Sequence, residues 1–241
     1  MASHSEGVRG DESDIVADNA SWTFDIDPTG FEEHIRRSVP FYREGHGLVA
    51  ALSDFFLPPS AVVFDIGCTT GATTRAILER HPDRDMRIVG LDVVPAMVDF
   101  ATRQTPDTRA EFECANALEY DYPETNLFVL YYTLQFIHPS IRIDLLRRIH
   151  ERLCWGGGLI VFEKVRAPDA RFQDYLSQLY VDFKLDNRFT PDQVVNKQRS
   201  LKGVLEPFSE RGNLTLFTEA GFKDVVSVFK WVCFEGWLAI K

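Results

Sequence analysis

From residue 61 onward, short apolar runs alternate with amphipathic stretches. Ala61-Val62-Val63-Phe64-Asp65-Ile66 is apolar, partly β-branched and bounded by turn residues, which predicts a buried strand. A helical stretch, Ala72 to Arg80, follows. Arg87 to Asp92 predicts a second strand, about Pro95 to Gln104 a helix, and Ala110 to Cys114 and Asn126 to Tyr132 two further strands. Ser140 to Leu153 places Ile141, Leu145, Ile149 and Leu153 on one helical face. Gly156-Gly157-Gly158 reads as its stop and Leu159 to Glu163 as the next strand. Leu214 to Ala220 predicts a last helix, and Val225 to Phe229 with Trp231 to Ile240 two closing strands joined by a tight turn. Strands alternating with helices imply an α/β fold with a mostly parallel, doubly wound sheet of seven strands.

Two regions break that rhythm. Phe31, Ile35, Val39, Leu48, Val49, Leu52, Phe55 and Phe56 recur at helical spacing, and Pro40 interrupts them, which predicts two helices or one sharply bent helix. Asp169 to Glu210 is helical in pattern without a clear strand and reads as an insertion before the last two strands. Met1 to Asn19 is polar, lacks the apolar core of a secretory signal and reads as a disordered tail. The organisation expected is a tail over 1–20 and one ligand-binding domain over 21–241. Residues 21–57 would form a helical cap and 169–210 a lid.

Composition narrows the function. With 45% hydrophobic and 26% charged residues, 241 residues suffice for one large domain that needs no disulfides. A net charge of -10 argues against general nucleic-acid binding. No apolar run reaches the ~18 residues of a membrane span. Cys68, Cys114, Cys154 and Cys233 form no CxxC pair and the histidines no HxxxH or HExxH spacing, so reduced thiols, a cytoplasmic location and no metal are expected.

The candidate chemistry lies at the ends of the first strands. Val62 to Gly71 runs a strand into a turn and helix with the spacing D-x-G-x-x-x-G, Asp65 to Gly71. Gly67 permits a sharp turn, and Gly71 removes a Cβ where helix meets sheet. The third glycine of pyrophosphate binders is missing, which fits a nucleoside without that group. Asp65 is placed to anchor the turn or to receive an ammonium. Asp92 ends the second strand, where a carboxylate can grip both ribose hydroxyls or cap the next helix. Asn116 and Ala117 follow the third strand, where an adenine edge would lie.

These motifs resemble class I S-adenosylmethionine (SAM)-dependent methyltransferases of Rossmann-like fold. They are most similar to the carboxy-S-adenosylmethionine synthases. The similar pieces are Trp22-Thr23-Phe24-Asp25, Arg37-Ser38-Val39-Pro40-x-Tyr42, Asp65-x-Gly67-Cys68, Pro95-Ala96-Met97, Thr133-Leu134-Gln135-Phe136, Asp182-Phe183-Lys184 and Arg199-Ser200. The resemblance implies that Tyr42 closes over SAM, that Gly67, Cys68 and Thr69 line its methionine part, Asp92 and Val93 its ribose, and Asn116 and Ala117 its adenine. It also implies that Arg199 holds a carboxylate and that the protein is a homodimer. One position departs. Where the family carries a cofactor-binding asparagine, this chain has Tyr131, followed by Tyr132. An aromatic face there could stabilise a sulfonium by cation–π attraction. His138, Tyr175 and Tyr180 complete the catalytic candidates: His138 as a base, the tyrosines as acceptor-recognition groups.

Four readings follow: methyl or alkyl transfer from SAM to a small molecule, carboxylation of SAM by prephenate, cyclisation of SAM to azetidine-2-carboxylate with release of methylthioadenosine, and a non-catalytic SAM-binding subunit.

Overall fold

The computed structural model describes residues 27–241. The expected tail, the start of the cap and the candidates Trp22 and Phe24 lie outside the described residues. Helix α1 spans Pro28–Ser38 and α2 spans Tyr42–Ser53, so Pro40 separates two helices. Asp27 caps α1 by accepting from the Thr29 amide at 3.0 Å, and Pro28 occupies the first turn.

Seven strands follow: β1 (Ala61–Ile66), β2 (Met86–Asp92), β3 (Ala110–Cys114), β4 (Thr125–Tyr131), β5 (Leu153–Lys164), β6 (Asp224–Trp231) and β7 (Phe234–Ile240). They form one sheet in the order β3-β2-β1-β4-β5-β7-β6. β1 to β5 pair in parallel, and β7 enters antiparallel between β5 and β6. The parallel strands are joined by α3 (Ala72–Arg80), α4 (Pro95–Gln104) and α5 (Arg142–Arg152), and the closing hairpin is preceded by α6 (Ala170–Asp186), α7 (Pro191–Ser200) and α8 (Glu210–Ala220).

Alternation along the strands divides the core into two layers. Val63, Val129, Ile160 and Phe162 face α2 and α3, while Phe64, Leu130, Leu159, Val161 and Trp237 face α5 and α8. Leu145, Leu146 and Ile149 of α5 are fully buried, each worth about 1.5–3 kcal/mol in apolar transfer. No helix among the described residues is long and apolar enough to cross a membrane.

Three boundaries differ from the sequence expectation. The glycine triplet does not stop α5. The helix ends at Arg152 where Leu153 turns extended and buried, and the glycines belong to β5, whose pairing with β4 shifts register between Thr125 and Leu127. The closing turn is centred on Val232 and Cys233 rather than on Lys230, because β6 continues through Trp231. Helix α8 begins at Glu210, capped by the Ser209 side chain on the Gly212 amide at 3.1 Å.

Candidate functional site

The carboxyl ends of β1, β2, β4 and β5 open onto a cavity of about 900 Å³, roofed by α1, the start of α2, α6 and the segment after α7. A crevice beyond the strand tips is where ligands bind in open α/β sheets. Its volume lies near the upper end of the roughly 300–1,000 Å³ of small-molecule sites.

The β1 turn builds one end of it. Gly67 has φ of +72°, and a Cβ there would collide with the Thr133 hydroxyl and lie 3.0 Å from its Cβ. That Thr133 hydroxyl donates to the Ile66 carbonyl at 2.8 Å, locking the tip of β1 to the segment after β4. Asp92 is buried at the tip of β2. One carboxylate oxygen accepts from the Thr69 amide and the other from the Val94 amide, both at 3.0 Å. Burial pushes its carboxyl pKa up, and those amides oppose the shift. Val93, 62% exposed, Asn116 and Ala117 continue the same wall.

The middle of the wall is aromatic. Tyr131 packs against Tyr42, with ring centroids 5.3 Å apart, and against Tyr132 at 4.8 Å. Both members of the 131–132 pair line the cavity, where strict strand alternation would admit one. The reason is local: β4 ends at Tyr131, and Tyr132 adopts a left-handed backbone with φ of +62°, which turns it back toward the site. Such a conformation costs on the order of 1–3 kcal/mol and must be held by its surroundings. Here the Tyr132 amide donates to the Phe162 carbonyl at 2.8 Å, and the Gln135 side chain donates to the Tyr132 carbonyl at 3.2 Å.

The far end is basic. Lys164, Arg166, Lys184, Lys197 and Lys202 line it, with Glu206 among them. The Lys164 and Lys184 ammonium groups lie over the Tyr180 ring at 4.3 and 4.8 Å. Burial pushes the Lys164 pKa down, and Arg166 and Lys202 push it the same way. Five cations on one wall stand out in a chain of net charge -10.

A buried polar scaffold holds these tips. Glu163, 2% exposed, accepts from the Leu134 amide at 2.9 Å. Its carboxyl is pushed up to about 8 by burial, against the pull of Arg142. Arg142 donates to the Ile137 carbonyl at 2.8 Å and to the Gln135 carbonyl at 3.0 Å, and Gln135 Oε1 accepts from the Lys164 amide at 3.0 Å.

Of the residues expected from sequence, Tyr42, Gly67, Thr69, Asp92, Val93, Asn116, Ala117, Tyr131, His138 and Tyr180 line the cavity. Asp65 and Cys68 stand behind the wall. Asp65 accepts from the Thr74 hydroxyl at 2.8 Å, and burial pushes its carboxyl up to about 7. His138 pairs through Nδ1 with the Ser140 hydroxyl at 2.8 Å. Arg199 and Tyr175 do not line the cavity. Both are exposed, Tyr175 by 58%, because the α6 and α7 faces that carry them turn to solvent. Thr133, Gln135, Lys164 and Lys202 had no role assigned from sequence. The position of Thr133, Gln135 and Lys164 just after or at the ends of β4 and β5 is the signal that marks them.

The chain matches a methyltransferase-domain family over residues 63–157. It is 35% identical to the carboxy-S-adenosyl-L-methionine synthase of Sulfurimonas denitrificans, covering 88% of this chain and 90% of that protein. The enzymes of the same description from Campylobacter lari and Staphylococcus epidermidis are 32% and 31% identical, over 88% and 91% of this chain and 90% and 97% of theirs. Among solved structures, human N-acetylserotonin methyltransferase in complex with SAM superposes with a TM-score of 0.58 at 18% identity, covering 95% of this chain and 65% of that one. Mitomycin 7-O-methyltransferase gives 0.61 at 20% identity, covering 89% and 58%. These likenesses show the Rossmann-like class I methyltransferase fold.

Proposed function

The chain belongs to the carboxy-S-adenosyl-L-methionine synthase family, a family of SAM-dependent enzymes working at the sulfonium, and from that premise we propose that it transfers the sulfonium-activated methyl group of SAM to a small anionic co-substrate, breaking the sulfur–methyl bond and leaving S-adenosylhomocysteine. The observation that carries this reading is a cavity of about 900 Å³ with a carboxylate at one end, aromatic rings in the middle and five cations at the other.

When bound, SAM supplies a methyl carbon already activated by positive sulfur, so the protein's work is alignment and exclusion of water. Asp92 is buried with both oxygens still able to accept further hydrogen bonds, and it would take the ribose hydroxyls. Val93, Asn116 and Ala117 would flank the adenine. The faces of Tyr42, Tyr131 and Tyr132 would stand around the sulfonium, and burial raises the pKa of all three so that the phenols stay neutral. Lys164, Arg166 and Lys202 would hold the anionic group of the acceptor.

Carboxylation of SAM is the second reading, favoured by the similarity to the synthases and by Lys184 of the Asp182-Phe183-Lys184 motif, which lines the cavity. Two observations rank it second. The position of the carboxylate-binding asparagine is occupied by Tyr131, whose hydroxyl is committed to the Tyr42 carbonyl at 2.7 Å, and Arg199 does not line this wall.

One incubation series tests the order. Purified protein is mixed with SAM alone, with SAM plus prephenate, and with SAM plus a panel of aromatic and aliphatic carboxylates, and nucleosides are followed by mass spectrometry. The expected result is S-adenosylhomocysteine together with a methylated carboxylate, and SAM stable on its own. A heavier, carboxylated nucleoside that needs prephenate would establish the second reading. Methylthioadenosine from SAM alone would overturn both in favour of cyclisation.

A further inference from the structure

Helix α2 carries a glycine at position 45, inside the helix, where glycine is disfavoured by about 0.5–1 kcal/mol relative to alanine. The structure gives a reason for it. An ideal Cβ at Gly45 would overlap the Tyr131 hydroxyl and would lie 3.0 Å from Tyr131 Cζ and 3.3 Å from Cε2. The end of the phenol rests on the bare backbone of α2, and its hydroxyl donates to the Tyr42 carbonyl one turn earlier at 2.7 Å. The ring is flanked by His46, with centroids 4.4 Å apart, Tyr132 at 4.8 Å, Phe162 at 5.0 Å and Tyr42 at 5.3 Å. Packed among those rings, Tyr131 could not keep this position beside a side chain at 45.

We propose that Gly45 and Tyr131 form one coupled specificity element: the missing side chain at 45 is what lets the ring at 131 lie back against the cap helix and form the cavity wall beside the sulfonium. With the ring seated, its face is presented to a cation while its hydroxyl is withdrawn from the cavity into a backbone hydrogen bond. An asparagine at 131 is too short to reach the Tyr42 carbonyl and would leave its amide in the cavity, so the pair selects between a π face and an amide at the reacting end. Gly45 acts here as a positioning residue through Tyr131. This inference rests on the reading that the cavity takes SAM, so its test has one arm that needs no ligand.

The test is a double-mutant cycle on wild type, Gly45→Ala, Tyr131→Asn and the double variant. Thermal unfolding of the ligand-free proteins reads the steric coupling. Gly45→Ala should lower the melting temperature when Tyr131 is present and raise it when made on top of Tyr131→Asn, because only the first contains the clash and the second gains helix propensity. Calorimetric titration with SAM and with S-adenosylhomocysteine reads the specificity. The ratio of the two affinities should fall at least fivefold in Gly45→Ala and should differ little between the Tyr131→Asn and double variants. A general loosening of the fold would weaken both nucleosides alike and leave that ratio fixed. Additive melting shifts, or a ratio unchanged by Gly45→Ala, would overturn the pairing. Coupled melting shifts in a wild-type protein that binds neither nucleoside would keep the packing pair, remove its role in specificity and sink the SAM reading of the cavity itself.

Discussion

Replacing His46 by phenylalanine should remove an acid-side loss of roughly 2 kcal/mol in stability between about pH 7.5 and pH 5. His46 is buried behind the aromatic wall, 8% exposed, in contact with the rings of Tyr42 and Tyr131. Its Nδ1 pairs with the Thr73 hydroxyl at 3.1 Å, and its Nε2 has no hydrogen-bond partner among the described residues. Burial first, and the nearby Arg75 second, lower its pKa from 6.5 to about 4. A histidine depressed in the folded state contributes stability that is complete above the unfolded value and is lost as pH falls toward the folded one. The gap corresponds to about 3 kcal/mol at full effect. By about pH 5 roughly 2 kcal/mol of it is gone, since the unfolded chain is then almost fully protonated at this site and the folded chain is not. Phenylalanine fills similar space, keeps the ring contacts, eliminates the orphan nitrogen and gives up the Thr73 bond, worth about 1 kcal/mol. Urea unfolding of both proteins at the two pH values gives the answer as a difference of differences. Every other titrating group cancels in that comparison. An acid loss equal in wild type and His46→Phe, within about 0.5 kcal/mol, would refute the buried neutral imidazole.

The alkaline side has its own signature. Glu163 and Asp65, pushed up to about 8 and about 7, hold their protons in the folded chain at pH values where the unfolded chain has lost them, so their contribution is complete only below the unfolded carboxyl pKa of about 4 and declines steadily as pH rises until it is exhausted at about 7 for Asp65 and about 8 for Glu163. Glu163→Gln, which can still accept from the Leu134 amide, should flatten that decline, and an unchanged slope in denaturation between pH 6 and 9 would contradict it. Asp92→Ala should weaken SAM binding by about ten- to a hundredfold, the scale of one or two hydrogen bonds to a charged acceptor, and unaltered calorimetric affinity would remove the ribose assignment. Lys164→Met should raise KM for the carboxylate co-substrate while leaving the SAM dissociation constant alone. A shift in the SAM constant would move Lys164 from the acceptor to the nucleoside.

The parallel half of the sheet was legible because its strands are continuous apolar runs and its cavity-lining residues fall just past their ends. Gly67, Asp92 and Asn116 could therefore be placed from spacing alone. The α6–α7 region was not legible in the same way. Tyr175 and Tyr180 are five residues apart, about 140° around a helix, and the sequence does not say which of the two faces inward. The structure turns Tyr180 to the cavity and Tyr175 to solvent. Arg199 misses the wall for the same reason. The scaffold of Glu163, Arg142 and Gln135 was hidden for a different one: buried charged and amide side chains look like surface residues until the partners that satisfy them are known. The glycine triplet misled because glycine ends helices often, yet a central strand with neighbours on both sides can carry it.

The interleaving of β7 between β5 and β6 also governs how the chain can be completed. Leu159 waits for Ala239 and Ile160 for Leu238, partners about eighty positions downstream, so one side of β5 stays an unpaired ribbon of Leu, Ile, Val and Phe until the farthest strand is in place. During synthesis that ribbon is the segment most open to pairing with a neighbouring chain. A chain cut short before β7 would lose two strand pairings at once, those to β5 and to β6, and would retain the tips of β1, β2 and β4 on a sheet with a raw edge.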